Sequence, residues 1–150
     1  MSFEDYRPIV IDITPSATAY TANDVVGGLL TPTLTIVPTV ITGVSVAIGE
    51  ANIAVPGTLY FYKATPTTFA DNAAFEPVHA DNEKLIAMVT LPTVTPLNTR
   101  SLYQIRYGGG STMPLIEISG QFYIYYVTSG TPDFAAAQDI QVTLFQLGGG

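Results

Sequence analysis

The chain has no cysteine, no tryptophan and a single histidine. Without cysteine, disulfides, thiolate nucleophiles and Cys-ligated zinc are all excluded. Without tryptophan, the strongest sugar-stacking side chain is missing, and so is the core landmark of an immunoglobulin domain. Charge is scarce as well. Only 11% of residues are Asp, Glu, Lys or Arg, against about 25% in an ordinary soluble domain. The five basic residues, Arg7, Lys63, Lys84, Arg100 and Arg106, are scattered and the net charge is −7. Nucleic acid and anionic membranes are both read through a basic footprint, so neither is an expected partner. No apolar run approaches the ~20 residues that span a bilayer. Met1–Val10 starts acidic and lacks the basic and apolar regions of a secretory leader, so synthesis in a cytoplasm is expected.

What the chain does have is β-favouring sequence. Hydrophobic residues make up 47%, with 9 Tyr, 7 Phe, 13 Gly and 11 Pro. At 150 residues one domain is expected, with residues 1–8 as an arm and 148–150 as a flexible tail. Ile9–Thr14, Val25–Thr31, Leu34–Val37, Val40–Glu50, Thr58–Tyr62, Lys84–Leu91, Ser101–Tyr107, Pro114–Gly120, Gln121–Thr128 and Asp139–Leu147 each read as a strand between Pro, Gly or Asn/Asp breaks. Period-2 apolar positions are clearest at Val44, Val46 and Ile48 and at Ile140, Val142 and Leu144. The glycine pair Gly27-Gly28 marks a bulge or a close backbone approach. Helical periodicity is confined to stretches of one or two turns at most near 71–74, 81–86 and 132–138. The pattern predicts an all-β antiparallel sandwich, jelly-roll-like, with one long crossover carrying short helical turns. An immunoglobulin-like sandwich is the second choice.

That crossover joins Thr58–Tyr62 to Lys84–Leu91 and holds the sequence's chemistry. His79, Asp71, Asp81 and Glu83 are the natural candidates for an acid–base or cation site. Their spacing matches no metal motif, whereas Asp71-Asn72 and Asp81-Asn82 suit the capping of free backbone N–H groups. Gly108-Gly109-Gly110-Ser111 lacks the lysine and following helix of a phosphate cradle, and no nucleophile elbow is present. The reading is therefore no enzyme, no catalytic residue, no metal and no cofactor.

Gln121–Thr128 is apolar on both faces: Phe122, Ile124 and Tyr126 point one way, Tyr123, Tyr125 and Val127 the other. Both faces must be covered, by the core on one side and by a loop or another subunit on the other. Tyr60, Tyr62, Tyr123, Tyr125 and Val127 are accordingly the interface candidates, since aromatic side chains concentrate where proteins meet. A glycan platform built on the four tyrosines is the alternative.

The stretches Ala19-Tyr20-Thr21-Ala22-Asn23-Asp24-Val25-Val26-Gly27-Gly28-Leu29-Leu30, Leu59-Tyr60-Phe61-Tyr62, Pro66-Thr67-Thr68-Phe69-Ala70-Asp71-Asn72-Ala73-Ala74-Phe75 and Asp81–Ile86 together resemble small tailed-bacteriophage virion accessory proteins of the capsid decoration, or cement, kind. The resemblance covers roughly residues 19–91. It does not extend to Val40–Gly57 or to the C-terminal third. It implies a structural subunit that binds and stabilises a phage head shell, with the major capsid protein or another virion protein as partner. It also implies a small homo-oligomer, trimer or dimer, located in the virion after assembly in the host cytoplasm. A tail- or fibre-associated module that binds a host-surface glycan is the competing function.

Overall fold

The computed structural model describes residues 8–32, 38–49, 53–92, 94–97, 100–134 and 140–148. Ten strands run through them: β1 (Ile9–Ile13), β2 (Val25–Leu30), β3 (Thr39–Ile48), β4 (Gly57–Tyr62), β5 (Leu85–Thr90), β6 (Thr95–Leu97), β7 (Arg100–Arg106), β8 (Ile116–Ile118), β9 (Tyr123–Thr128) and β10 (Ile140–Gly148). They form two sheets. The first has the order β1-β10-β3-β7-β6, with β8 also on β3; the second has the order β2-β9-β4-β5. β7 and β8 share one side of β3, β7 along Gly43–Ile48 and β8 along Thr39–Ile41. All pairings are antiparallel. Successive strands mostly alternate between the sheets, which is the double Greek key of a jelly roll.

The alternation seen in sequence becomes the core. Val44, Val46 and Ile48 of β3, Ile140, Val142 and Leu144 of β10, Leu59 and Phe61 of β4, and Ile124 and Tyr126 of β9 are fully buried in one cluster between the sheets. Phe61 and Phe122 stack there, 6.2 Å between centroids. The Tyr126 hydroxyl donates to the Val55 carbonyl, so its polar tip is matched inside the core.

Local chemistry explains the irregular points. The β2–β9 register breaks between Val26 and Leu30, at the glycine pair, where Gly27 has φ +88° and Gly28 φ +70°. A Cβ at Gly27 would lie 2.6 Å from Ile13 Cγ2, so bulge and close approach occur together. Thr95–Leu97 is a short strand on β7. The segment at 71–74 is a turn rather than a helical turn, because Asn72 adopts φ +62°. The helical turn read at 81–86 is a 3₁₀ helix at His79–Lys84, followed directly by β5. The strand read at Leu34–Val37 lies outside the described residues, as does most of the 132–138 turn.

Candidate functional site

The most elaborated part of the molecule is the outer face of the β2-β9-β4-β5 sheet. β4 and β9 lie side by side, with Tyr60 opposite Tyr125 and Tyr62 opposite Tyr123. Strand alternation turns Tyr60, Tyr62, Tyr123, Tyr125 and Val127 away from the main core. They do not face solvent freely. Residues 63–84 fold back across them and close a second apolar cluster of Val25, Tyr62, Phe75, Tyr125 and Val127, flanked by Leu29, Tyr60, Phe69, Leu85 and Tyr123. Of the five interface candidates, Tyr62, Tyr125 and Val127 are buried beneath the chain's own crossover, and Tyr60 and Tyr123 are half-buried beside them.

Phe69 and Phe75 are the crossover's anchors, and neither stood out in sequence. Phe75 packs 4.8 Å from Tyr60 and 5.4 Å from Tyr125. Phe69 meets Phe75 at 5.5 Å and Tyr125 at 5.7 Å, both edge-on. Tilted and edge-on rings at these separations add to the area they bury. The signal for them was present: two phenylalanines in an otherwise polar insert have no reason to stay in water.

Three polar fasteners hold the crossover down. The first is Tyr125, whose hydroxyl donates to the Thr67 carbonyl at 2.7 Å and accepts from the Phe69 N–H at 2.9 Å. The second is Asp81, which is buried. Its two oxygens accept from the Thr67 N–H and the Val78 N–H, each at 2.9 Å. Lys84 Nζ lies 3.7 Å from the same carboxylate and donates to the Thr65 carbonyl at 3.0 Å. Burial alone would raise the Asp81 pKa; the donors from Thr67 and Val78 and the Lys84 charge outweigh it, and the carboxyl sits below its usual range. The residue that heads the helix is Val78, which has no side-chain acceptor, so Asp81 reaches back to it from inside the first turn.

The third fastener is Asp71. One of its oxygens accepts from the Tyr20 hydroxyl and from the Gly27 N–H, both at 2.8 Å. The Tyr20 hydroxyl in turn accepts from the Ser16 N–H at 2.7 Å. Burial raises the Tyr20 phenol well above its usual value; the Ser16 bond works against this and the Asp71 charge adds to it. Around Asp71, the Asn72 N–H donates to the Val25 carbonyl and the Val25 N–H to the Ala73 carbonyl, each at 2.8 Å. Asn23 and Phe75 exchange further bonds. The stretches 19–28 and 66–75, far apart in sequence, are thus bound to each other along the free side of β2.

His79 and Glu83 stand exposed on the 3₁₀ helix. Among the described residues no three of His, Asp and Glu converge as metal ligands would. Asp81 spends both its oxygens, and Asp71 one of its own, on N–H and O–H donors of the chain itself. Among the described residues no helix is long and apolar enough to cross a membrane.

The other sheet's outer face is turned to solvent. Over their described lengths its middle strands β3 and β10 contribute no charged side chain. Val40, Ala47, Leu102, Phe145 and Leu147 are half-buried on it, and Arg106 stacks over Phe145 at 4.0 Å. At one end, Val40, Thr42, Leu115, Glu117 and Leu147 line an open, mostly apolar groove of about 660 Å³.

No family model and no curated protein matches the sequence. Among solved structures, the chain is similar over 97% of its length to 86% of a chain in the capsid of Ralstonia phage GP4, with TM-score 0.47 and 16% identity. It is similar over 97% of its length to 69% of a chain from a marine algae virus of the order Picornavirales, TM-score 0.30 and 12% identity. It is similar over 94% to 70% of a chain from the native virion of Kashmir bee virus, TM-score 0.26 and 15% identity.

Proposed function

We propose that the protein is a structural virion component, a capsid decoration or cement subunit that binds a phage head shell and carries out no reaction. One observation supports this over the glycan-binding alternative. The aromatic face a sugar would need is closed by the chain's own crossover, while the uncharged strands β3 and β10 are presented outward. Two central strands without charge cost less to desolvate than charged ones, which suits repeated small contacts on a lattice. Two of the candidate acid–base carboxylates, Asp71 and Asp81, are tied to backbone donors.

The test is co-sedimentation with purified phage shells assembled without this chain. The protein pellets with them, and the double substitution Ala47→Glu, Leu102→Glu, at neighbouring positions on β3 and β7, lowers the pelleted fraction at least tenfold. Protein that remains in the supernatant overturns the proposal, and a hit on a glycan array points to the tail or fibre reading instead.

A further inference from the structure

The outer face of the β1-β10-β3-β7-β6 sheet carries two rows of side chains at the end nearest Thr39. Pairing across the sheet sets Arg106, Gly43 and Phe145 in one row. It sets Glu117, Val40 and Leu147 in the other. Thr42 lies between the rows, where the β3–β10 register shifts. Each row ends in an exposed charge on the β7 and β8 side and in a large apolar side chain on β10. The two charges are opposite in sign.

Among the described residues neither charge meets an opposite one; the one ion pair is Lys84 with Asp81. Arg106 instead turns across Gly43 and stacks on Phe145, 4.0 Å from the ring centroid. The glycine makes the room, since a Cβ there would lie 3.2 Å from Arg106 Cγ and 3.4 Å from Phe145 Cδ2. The stacked pair is a plug, cationic and aromatic at once. Beside it lies the apolar groove of Val40, Thr42, Leu115 and Leu147, with Glu117 in its lining. Leu115 is 47% exposed there. The groove is a socket with one anion, and plug and socket match in charge and in kind. They lie side by side on one outward-facing sheet, so a single molecule cannot join its own two halves.

We infer that this end of the sheet is a two-fold docking surface for a second copy of the chain. The axis lies between the facing sheets, runs along the rows and passes over Thr42. It lays each plug in the other copy's groove, Arg106 on Glu117 and Phe145 on Leu147, with Val40 against the stacked pair. Both contacts form at once, as an isologous interface requires. A different protein would have to present a cation, a ring and an acid in this same order; a second copy presents them already, and that complementarity selects it as the occupant. The apolar side chains supply the affinity. Exposed ion pairs contribute little to it and instead fix partner and register. Thr39 stands three residues from Thr42, so the mate's β3 ends over Ser45. Ala47 and Leu102 stay outside the contact, and the pairing does not depend on the virion reading.

The test exchanges charges. In analytical ultracentrifugation the wild type should sediment at twice the chain mass. Arg106→Glu leaves two acids on each patch, and Glu117→Arg leaves two cations. Each variant alone should sediment at the chain mass, its dimer Kd raised at least tenfold and its far-UV spectrum unchanged. Mixed in equal amounts, the two should recover twice the chain mass, because the acids of one then face the cations of the other. The absence of cysteine gives a second measurement. Facing sheets stand about 10 Å apart, so a bis-maleimide of that span should join Thr42→Cys to its mate at the axis. It should not join Val10→Cys, 50% exposed on β1. Should a charge variant fail to fold, this cross-link decides. A wild type at the chain mass, which leaves the groove to a different protein, overturns the inference. So do charge variants that dimerise like the wild type, a mixture that stays monomeric, or a Thr42→Cys chain that is not joined.

Discussion

Replacing Asp81 by Asn tests whether the crossover is held by its buried carboxylate. The side chain keeps its shape but loses an acceptor. One of the two N–H groups, Thr67 or Val78, would then face an NH₂ instead of an oxygen. A hydrogen bond to a charged partner contributes about 1.5–3 kcal/mol, and a buried donor left without one costs about 1–3 kcal/mol. Since Lys84 is only partly buried, its attraction adds little. The expected loss is about 2–4 kcal/mol. For a chain of this size that lowers Tm by roughly 5–15 °C when the transition is concerted. Where the crossover opens alone, the loss shows in exchange of the Thr67 and Val78 amides, which should quicken by a factor of about 30 or more. The control is Glu83→Gln, exposed on the same helix, with an effect within about 0.5 kcal/mol. The acid branch has a definite sign. Asp81 has a folded pKa below its ordinary value, so as pH falls the unfolded chain takes up the proton first. The contribution is complete above the ordinary carboxylate pKa of about 3.9 and is lost as pH falls below it and through the folded value. The gap between wild type and Asp81→Asn should therefore narrow below about pH 4. A Tm within 1 °C of wild type together with unchanged exchange at Thr67 and Val78 would refute the assignment of Asp81 as a fastener.

Two further substitutions probe other contacts. Gly27→Ala puts a Cβ 2.6 Å from Ile13 Cγ2 at a backbone φ of +88°; left-handed strain of about 1–2 kcal/mol adds to overpacking of about 1–3 kcal/mol. Chemical denaturation should show a loss near 3 kcal/mol, against about 1 kcal/mol for Gly109→Ala, whose Cβ would meet nothing. Tyr125→Phe keeps the ring among Tyr62, Phe69 and Phe75 but removes the hydroxyl that joins Thr67 to Phe69. A loss of about 1–3 kcal/mol is expected, with the exchange change concentrated in residues 66–70.

Much of this was legible in the sequence because much of it is local. Alternation along Val44–Ile48 and Ile140–Leu144 identifies strands and their inner faces, and Gly27-Gly28 announces its bulge from composition alone. The order of the strands is a different matter. That β10 lies between β1 and β3 depends on contacts across more than 90 residues, which no window reveals. The double apolar face of β9 showed that something covers Tyr123, Tyr125 and Val127, with a loop and another subunit both open. The crossover's own Phe69 and Phe75 decide much of that, and they could be recognised only by asking what two phenylalanines do among polar neighbours. Asp71 and Asp81 were read correctly as partners for free N–H groups. Of their backbone targets, Val78 stands at a helix start, whereas Gly27 and Thr67 lie outside any, so position in the sequence pointed to one donor and missed the other two.

The placement of β9 and β10 has a consequence for how the molecule is made. Each sits in the interior of its sheet, β9 between β2 and β4 and β10 between β1 and β3. As the ribosome advances, β1 and β2 emerge early but have no strand to pair with until those two follow. Neither sheet can close gradually from its first strand outward. For most of translation the nascent chain exposes β-rich, uncharged segments with unpaired backbone, the state in which chains most readily aggregate. Closure is a late event with long loops to gather, which favours slow folding. Ribosome-bound chains stalled before Tyr123 should accordingly depend on chaperones, and release from that dependence should come only once Gly148 has cleared the exit tunnel.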